Sequence, residues 1–251
     1  MCYSEVDYLV NKPKKITTLG SIIMSTTNGR ALLRQRRIMG YFIEAADEII
    51  KQEGIDAVTI RRVSDKAGYT SATLYNYFDN LNHLVFLASM SHILEYNNEI
   101  ERRVANCENS VEIYLTISEC FCEYSFNEPE IYNLLFYGNL DDKREDYTRQ
   151  FYELFEDKNK NWPPTLSKII NINNLFRRSH IMVTDCVDDG YFSPENGEDF
   201  NEVAMMVYRS ILKDVREGKL NAKEAAAKNM KYYRQLMGFY IKPEYRGLLE
   251  K

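Results

Sequence analysis

The sequence predicts an all-α protein, and three observations carry that prediction. Glycine and proline are sparse, with 11 glycines and six prolines among 251 residues, so few positions break a helix. Apolar residues recur at three- and four-residue spacing, which is the period of a helix with one buried face. Long stretches of alternating β-branched residues, which would indicate strands, are missing from the sequence. The hydrophobic share of 45% is that of a chain that folds around a core.

The charge distribution favours a local contact with DNA. The net charge of −5 argues against a protein that coats nucleic acid. Residues 30–80 nevertheless carry eight basic and seven acidic groups, a balance of +1, which leaves −6 for the remainder. The segment is close to neutral, begins with several arginines and is joined to an acidic body. This distribution suits a local DNA contact better than general polyanion binding.

The cysteines and the hydropathy pattern indicate a reducing, cytoplasmic location. Five cysteines are an odd number without disulfide-framework spacing, so we expect most of them to be small buried hydrophobes. Cys120 and Cys122 are two residues apart and would face different sides of a helix, which argues against a metal site. No run of about 18 apolar residues occurs, and the N-terminal stretch lacks the apolar core of a signal peptide.

Residues 1–29 are predicted to form a flexible N-terminal arm, because "NKPKKITTLGSIIMSTTNG" mixes turn-forming residues with isolated apolar ones. Met24 precedes a polar stretch and is a second candidate for the translation start. The two interpretations differ in whether residues 1–23 belong to the native protein.

Residues 30–80 are predicted to form three helices, the last two short and closely joined. The first ends before Gly54, which suits a C-cap. Thr59 is placed as the N-cap of the second helix, Gly68 permits a tight connection, and Thr70 caps the third. The residues predicted to face the core are Phe42, Ala45, Ala46, Ile49, Ile50, Ile60, Val63, Ala67, Leu74 and Phe78.

Seven further helices are predicted from Leu81 onward. The first is long, and the two at the C-terminal end have the strongest amphipathic patterns. The "WPP" at Trp162–Pro164 ends one helix and begins the next, since proline is tolerated in a first turn. The predicted ranges are 81–107, 110–126, 129–138, 142–160, 164–188, 196–217 and 221–240.

Two short helices joined by a three- or four-residue turn with a glycine describe a helix-turn-helix, whose second helix enters the major groove of DNA. The segment "SATLYNYF" gives that second helix polar groups at Ser71, Thr73, Asn76 and its tyrosines, which can reach phosphates and base edges. Leu74 and Phe78 would hold its other side to the core. The alternative is a polar helical hairpin on a protein surface, because short helix-turn-helix patterns are easily mimicked.

Residues 37–84 resemble the N-terminal DNA-binding region of the TetR family of transcriptional regulators. The resemblance rests on "FIEAADEIIKQEG", "VTIRRVSDKAGYT", "SATLYNYF" and "NHL", which occur in the order and spacing of that family. Each motif alone is weak, whereas their combination is highly specific and covers about a fifth of the chain. The resemblance implies an N-terminal three-helix DNA-binding domain with a helix-turn-helix, followed by a larger α-helical bundle for ligand binding and dimerisation.

The resemblance also implies roles for individual side chains at the DNA. Thr59 and Arg61 would meet phosphates where the second helix begins, because the backbone N–H groups there also favour an anion. Ser71, Ala72 and Asn76 occupy positions that face bases, and Asn76 would pair with an adenine. The DNA-binding residues expected on this basis are Arg37, Thr59, Arg61, Thr70, Ser71, Ala72, Thr73, Tyr75, Asn76, Tyr77 and His83.

The remaining contacts in this set concern the DNA backbone. Tyr75 and Tyr77 would set the register through phosphate oxygens, and Thr70 would cap the recognition helix. Three arginines would add backbone or minor-groove contacts, unless they form only a solvated basic start of the first helix. These arginines are Arg34, Arg36 and Arg37.

One position departs from the family pattern. The family usually has a lysine three residues after the phenylalanine, where it contacts phosphate as the fourth helix begins, whereas this chain has Leu81. Either Asn82 or His83 substitutes for that lysine, or DNA binding is weaker. The other interpretation of His83 is an ordinary surface histidine at a helix start.

Residues 81–251 do not resemble any particular member closely enough to transfer a ligand. By analogy with the family, this part would dimerise and bind an effector. The helices predicted at 196–217 and 221–240 are the candidates for a two-fold four-helix interface, because a symmetric dimer matches a palindromic operator. The alternative is that their apolar stripes pack only internally.

Aromatic side chains in the middle of the chain are candidates for an effector pocket, because they can line an apolar cavity that has a few polar groups. The alternative for each of them is ordinary core. Arg177, Arg178 and His180 would either meet an acidic ligand or form a solvated charged face. The candidate pocket residues are Tyr114, Phe121, Tyr132, Phe136, Phe155, Phe176 and His180.

The sequence lacks the motifs of an enzyme: a phosphate-cradling glycine loop, HExxH and a nucleophile elbow. The function expected is that of a ligand-responsive repressor that binds a palindromic operator as a homodimer, with an apolar or aromatic effector and without a cofactor or metal. The alternative is a coactivator or adaptor that keeps the fold but has lost sequence-specific DNA binding. Leu81 and the acidic net charge motivate that alternative.

Overall fold

The computed structural model describes residues 20–138, 143–155, 162–172 and 174–249, and within these ranges the chain is helical without any strand. The all-α prediction is therefore confirmed. The described residues form α1 (Gly20–Glu53), α2 (Ile60–Ala67), α3 (Ser71–Leu74), α4 (Leu81–Val104), α5 (Ser110–Asn127), α6 (Pro129–Tyr137), α7 (Arg144–Phe155), α8 (Pro164–Ile169), α9 (Leu175–Asp188), α10 (Pro194–Arg216) and α11 (Ala222–Tyr240). Short 3-10 helices occupy Ile55–Ala57 and Pro243–Leu249.

Two helix boundaries differ clearly from the predicted ones. Residues 1–19 of the predicted arm lie outside the described residues, but α1 begins at Gly20, so the arm does not reach residue 29. The single helix expected over 164–188 is divided into α8 and α9, because Asn174 starts a new helix. Its side chain accepts a hydrogen bond from the backbone N–H of Arg177 at 2.9 Å. Met24 lies within α1, and a translation start there stays a hypothesis.

Asparagine caps determine where several of the helices begin. The side chain of Asn80 accepts from the N–H of His83, and that of Asn109 from the N–H of Glu112, both at 2.9 Å. A cap of this kind satisfies a backbone donor that the first turn leaves free, and its loss costs about 1 kcal/mol. These two side chains therefore define the starts of α4 and α5.

The first three helices pack their apolar faces into one small core, as their sequence pattern predicts. Phe42, Val63, Leu74 and Phe78 are all fully buried. The rings of Phe42 and Phe78 meet edge to face, with centroids 5.9 Å apart. Because α2 has eight residues and α3 has four, neither would be stable alone, and this core holds them in place.

The remaining helices form the body, in which α5 packs against α4, α9 and α11. The ring of Phe121 lies 5.4–5.5 Å from the rings of Tyr96, Tyr132, Phe136 and Tyr208, measured between centroids. Aromatic contacts of this kind add about 0.5–1.5 kcal/mol each beyond the area they bury. Phe121 is therefore central to the core of the body. None of the helices in the described ranges combines the length and the apolar character needed to cross a membrane.

The cysteines of the described residues behave as small hydrophobic side chains, as predicted. Cys120, Cys122 and Cys186 are buried and unpaired, and Cys107 is half-buried. Burial raises the pKa of the Cys120 and Cys186 thiols to about 12, so both stay protonated at neutral pH. Cys2 lies outside the described residues.

A buried histidine joins the first three helices to the body. The Nε2 atom of His92 on α4 lies 2.9 Å from Oδ1 of Asp47 on α1. Its Nδ1 atom lies 2.9 Å from both carboxylate oxygens of Glu128, at the junction of α5 and α6. Burial alone would lower the pKa of His92, but the hydrogen bonds and charges of Glu128 and Asp47 more than offset it and raise the pKa. The bridge therefore favours a protonated ring that donates to both carboxylates.

We expect this bridge to make the free energy of unfolding depend on pH. A histidine whose pKa is raised by folding adds stability below its unfolded pKa of about 6.5, and that contribution is lost as pH rises through the folded value. Replacing His92 by Gln should therefore reduce stability more at about pH 6 than at about pH 9, because the contribution of the protonated ring decreases as pH rises. Urea unfolding of both proteins at the two pH values measures the difference.

His180→Gln is the control for removing a histidine, because His180 is exposed on α9 and lies outside the bridge. A stability difference between wild type and H92Q that stays constant with pH would show that the bridge holds a neutral ring.

Candidate nucleic-acid interface

A glycine shapes the turn between α2 and α3. Gly68 has φ +75° and ψ 28°, a left-handed conformation that residues with a Cβ rarely adopt. The N–H of Gly68 donates to the carbonyl of Asp65 at 3.3 Å, and the N–H of Tyr69 donates to that of Ser64 at 3.0 Å. These bonds close the end of α2 as a Schellman motif. Only Gly68, Tyr69 and Thr70 separate the two helices, which is the geometry of a helix-turn-helix.

Some of the hydroxyls in this segment stabilise its own helices. Thr59 Oγ1 accepts from the N–H of Arg62 at 3.3 Å, and Thr70 Oγ1 accepts from the N–H of Thr73 at 3.2 Å. The hydroxyls of Thr70 and Thr73 also hydrogen-bond to each other at 3.0 Å. Both predicted threonine caps are confirmed, and part of the hydroxyl density therefore serves the fold.

The opposite sides of α3 and the turn that follows it differ in exposure. Ala72, Tyr75 and Asn76 are exposed, and their spacing of three and four residues places them on one side, here called the recognition face. Leu74 and Phe78 are buried on the other side, where the ring of Phe78 contacts that of Phe42 on α1. Half-buried along the edges are Ser71, Thr73 and Tyr77. The polar side chains of the predicted second helix therefore lie on this exposed surface or along its edges.

Two adjacent arginines near the start of α2 have different surroundings. Arg62 donates to the carbonyl of Ala57 at 3.0 Å and pairs with Glu53 at the end of α1, so its guanidinium ties the two helices together. The side chain of Arg61 is 91% exposed, and its Nε lies 3.9 Å from Oδ2 of Asp65. Exposed ion pairs of this length contribute little to stability, so Arg61 remains available to a phosphate.

The arginines of α1 also differ in their surroundings. The guanidinium of Arg36 lies 6.0 Å from the ring centroid of Phe155 on α7, so this side chain contacts the body. Arg34 and Arg37 are exposed. Their expected contacts with the DNA backbone stay predictions.

His83 does not lie on the surface, and the prediction that it contacts DNA is wrong. The residue is 3% exposed, and its ring stacks on that of Tyr147 of α7 with centroids 3.9 Å apart. Nδ1 accepts from the N–H of Asp79 at 3.1 Å, so Nε2 carries the proton and donates to Oε1 of Gln150 at 2.8 Å. Burial is the main cause that lowers the pKa of His83, which keeps the ring neutral. The alternative of a surface histidine is wrong for the same reason.

Asp79 makes a second contact between this segment and α7. Its Oδ2 accepts from Lys143 Nζ at 3.0 Å and from Tyr147 Oη at 3.1 Å. The hydrogen bond from Lys143 lowers the pKa of Asp79, so the carboxylate is charged at neutral pH. Asp79 and His83 together bind the end of the helix-turn-helix to the body. Local sequence offers no signal for either contact, because the partners are more than 60 residues away.

Leu81 occupies the position at which the TetR family pattern has a lysine. It is half-buried in the first turn of α4 and packs against the core. Of the two residues expected to substitute for the lysine, His83 is buried and Asn82 is exposed. Asn82 is therefore the remaining candidate for a phosphate contact at this helix start.

A small cavity lies inside the body, and its volume is about 30 Å³. Phe121, one of the candidate pocket residues, lines it. Tyr132 and Phe136 are buried next to Phe121, and Tyr114 Oη lies 3.3 Å from Oγ of Ser179 in the cavity wall. Across the described ranges, no group of His, Cys, Asp and Glu side chains is placed to hold a metal ion.

Three candidate pocket residues lie away from this cavity, and their role in effector binding stays a prediction. Phe155 is half-buried next to Arg36 of α1. Phe176 and His180 are exposed and stack on each other with centroids 6.5 Å apart. They lie on the outer side of α9, because the helical period turns the other side of α9 toward the cavity.

The helical period also places the charged residues of α9 on different sides of that helix. Arg177 is exposed together with His180, as expected for a solvated charged face. Arg178 is buried and lines the cavity. Of these three neighbouring residues, only Arg178 lies in the interior.

Known proteins match the helix-turn-helix by sequence and most of the chain by fold. Residues 42–86 match the family model of bacterial regulatory proteins, tetR family. No curated protein sequence gives a significant match.

Two solved structures share the fold over most of the chain. FadR from Thermus thermophilus, a TetR family transcriptional repressor in complex with lauroyl-CoA, is 15% identical with a TM-score of 0.52, over 79% of this chain and 92% of that chain. A protein of unknown function from Rhodococcus sp. RHA1 is 15% identical with a TM-score of 0.54, over 83% of this chain and 96% of that chain. At this level of identity, the likeness shows a common fold alone.

Gly68→Ala should destabilise the protein by about 1–2 kcal/mol, because a Cβ is unfavourable in the left-handed region. Gly40→Ala within α1 is the matched control, since an added Cβ would meet nothing within 4 Å at either position. It should be stabilising by about 0.5–1 kcal/mol, as alanine is the better helix former. Denaturant unfolding measures both changes, and equal effects would show that the turn does not depend on the left-handed backbone.

Proposed function

We propose that the chain is a DNA-binding transcriptional regulator of the TetR family and acts as a ligand-responsive repressor, and the match of residues 42–86 to that family's model supports the proposal. It would bind a palindromic operator as a homodimer. The recognition face is the observation that carries the proposal, since Ala72, Tyr75 and Asn76 are exposed above the buried Leu74 and Phe78. The second helix of a helix-turn-helix presents such a surface to the major groove.

The side chains around the recognition face would divide between two tasks. Asn76 would read a base, since an amide can bond to adenine through two hydrogen bonds, and Ser71, Ala72 and Thr73 would contact base edges beside it. Contacts with phosphate oxygens would fix the register of the domain on the duplex. The residues proposed for these phosphate contacts are Arg37, Thr59, Arg61, Thr70, Tyr75 and Tyr77.

Exposed apolar side chains on the last two helices support a homodimer. Met206 on α10 and Tyr232 on α11 are exposed, and Phe239 on α11 is 74% exposed. Much of the stripe predicted from the sequence, including Phe200 and Ile211, packs internally, so the interface would use the side chains that remain outside. A two-fold dimer would present its recognition faces to successive major grooves, about 34–36 Å apart.

An effector in the body would act on DNA binding by shifting the balance between two arrangements of the domains. Helix α4 is suited to carry this coupling, because it begins just after the recognition face and contributes Tyr96 to the cavity wall. Effector and operator would then weaken each other's binding by the same factor, typically about 1–3 kcal/mol. A cytoplasmic location accompanies this role.

A coactivator or adaptor without sequence-specific DNA binding is the second candidate function. Leu81 favours it, because this half-buried apolar side chain offers no charge to phosphate. A gel-shift experiment with DNA from upstream of the chain's own gene separates the two functions. Sequence-specific retention supports the regulator, and its absence across many promoters supports the adaptor.

On a retained operator, Asn76→Ala should relax the preference chiefly at one base pair, by about 1–3 kcal/mol. Tyr75→Ala should weaken binding to all sequences, because a phosphate contact carries no sequence information. Competition with single-base variants of the operator at fixed salt measures both effects. Equal and nonselective losses from the two substitutions would contradict base reading by Asn76.

Arg61→Ala should lower DNA affinity and reduce the slope of log affinity against log salt by about 1, without a change in Tm. Arg62→Ala is the neighbouring control and should lower Tm, because it removes the contacts with Glu53 and the carbonyl of Ala57. Salt titrations of operator binding and thermal unfolding give the two readouts. An unchanged salt slope in R61A would remove Arg61 from the interface.

A further inference from the structure

Arg178, on the inner side of α9, is a buried charge for which the described residues supply no counter-charge. The residue is 3% exposed, and its Nη2 atom has no hydrogen-bond partner among the residues that the structure describes. Among the ion pairs that the described part of the chain forms, none includes Arg178. An ionised group is costly to bury without a partner, so an unpaired buried guanidinium calls for an explanation.

Neighbouring aromatic rings compensate this charge only in part. The guanidinium carbon lies 5.6 Å from the ring centroid of Tyr96 and 5.8 Å from that of Phe136. Cation–π contacts at these distances offset some of the lost hydration. They provide no oxygen or nitrogen acceptor for the N–H groups in the plane of the guanidinium.

A second polar atom without a partner lies in the same aromatic cluster. Tyr132 Oη is buried and finds no hydrogen-bond partner within the described ranges, and the ring of Tyr132 stacks on Phe136 with centroids 6.2 Å apart. Arg178 and Tyr132 thus contact the same ring, and each has an unused donor. An anion that reached both donors would accept a hydrogen bond from each.

Arg178 also lines the cavity, whose wall includes Phe121, Met182, Met205 and Tyr208. A volume of about 30 Å³ holds about one water, whereas a benzene-sized guest occupies a cavity of roughly 150 Å³. A ligand must therefore displace side chains. Met182 and Met205 are suited to move, because an unbranched thioether adopts several conformations readily.

We infer that the effector is a carboxylate with an apolar or aromatic body, held by Arg178 and by the hydroxyl of Tyr132. A guanidinium offers two parallel N–H donors that match the two oxygens of a carboxylate. The carboxylate supplies the missing counter-charge, and the apolar body takes the space of the displaced methionines. The inference rests on the proposed ligand-responsive function and narrows its effector to one chemical class.

The test uses matched probes on the full chain without DNA: 4-phenylbutyrate against 4-phenylbutanol, and octanoate against octanol. At least one acid should bind about tenfold more tightly than its alcohol in isothermal titration calorimetry, and it should raise Tm. Binding of neither acid, or equal binding of acid and alcohol, overturns the inference. Tighter binding of phenyl phosphate than of both acids also overturns it, because the site would then select phosphate.

Arg178→Met should abolish the preference for the acid and leave the free protein at least as stable, because it removes an uncompensated buried charge. Arg178→Lys keeps a charge but loses the paired donors, so it should bind the acid about tenfold more weakly than wild type. The lysine variant also decides the question if the methionine variant does not fold. Arg177→Met, on the exposed side of α9, is the control and should bind the acid like wild type. Acid preference retained in R178M overturns the inference.

The two proposals can fail separately. Acid binding that leaves operator affinity unchanged would refute ligand-responsive repression and keep the carboxylate site. Specific operator binding by a chain that binds neither acid would refute the carboxylate site and keep the regulator.

Discussion

The packing of Leu74 and Phe78 beneath α3 is the interaction on which the recognition face depends. A helix of four residues is one turn long, and one turn is unstable alone because helix nucleation is unfavourable. Burying each of these side chains contributes about 1.5–3 kcal/mol, and Phe78 adds its edge-to-face contact with Phe42. Since this anchoring comes from one side only, the other side is free to be polar. The dense run of hydroxyls and phenols is thus compatible with a stable fold.

Two buried histidines connect the helix-turn-helix to the body through opposite charge preferences. His92 lies between two carboxylates and favours the protonated ring. His83 lies nine residues earlier on the same helix. It accepts a hydrogen bond from one backbone N–H, donates one to Gln150 and favours the neutral ring. The state of each ring follows from its partners, and these come from different helices. The same residue type therefore forms an ionic bridge at one point of α4 and an aromatic stack at another.

The parts of the fold that the sequence predicted are those governed by local chemistry. Thr59, Gly68 and Thr70 act on backbone groups within about four residues, so their roles in the helix-turn-helix could be inferred from the spacing alone. The break at Asn174 is not evident from the apolar pattern, because residues with a helical period continue on both sides of it. The helical class itself followed from the period of the apolar residues.

The parts that the sequence missed depend on how distant helices pack. The burial of His83 is set by α7, whose Gln150 lies 67 residues away, and no local pattern records that distance. The aromatic candidates in the body share one residue type, but only the rotation of α9 about its axis decides that Phe176 is outside and Arg178 inside. Composition identified an aromatic interior, and tertiary packing decided which of its members surround the cavity.

The short connection between the recognition face and α4 has a mechanical consequence. Only Asp79 separates the buried Phe78 from Asn80, which caps α4, and Asp79 itself accepts a hydrogen bond from Tyr147 of α7. This connection is too short to absorb a tilt of α4. A small change in the angle of α4 at its N-terminal end would therefore move the recognition face together with the helix, as one rigid unit.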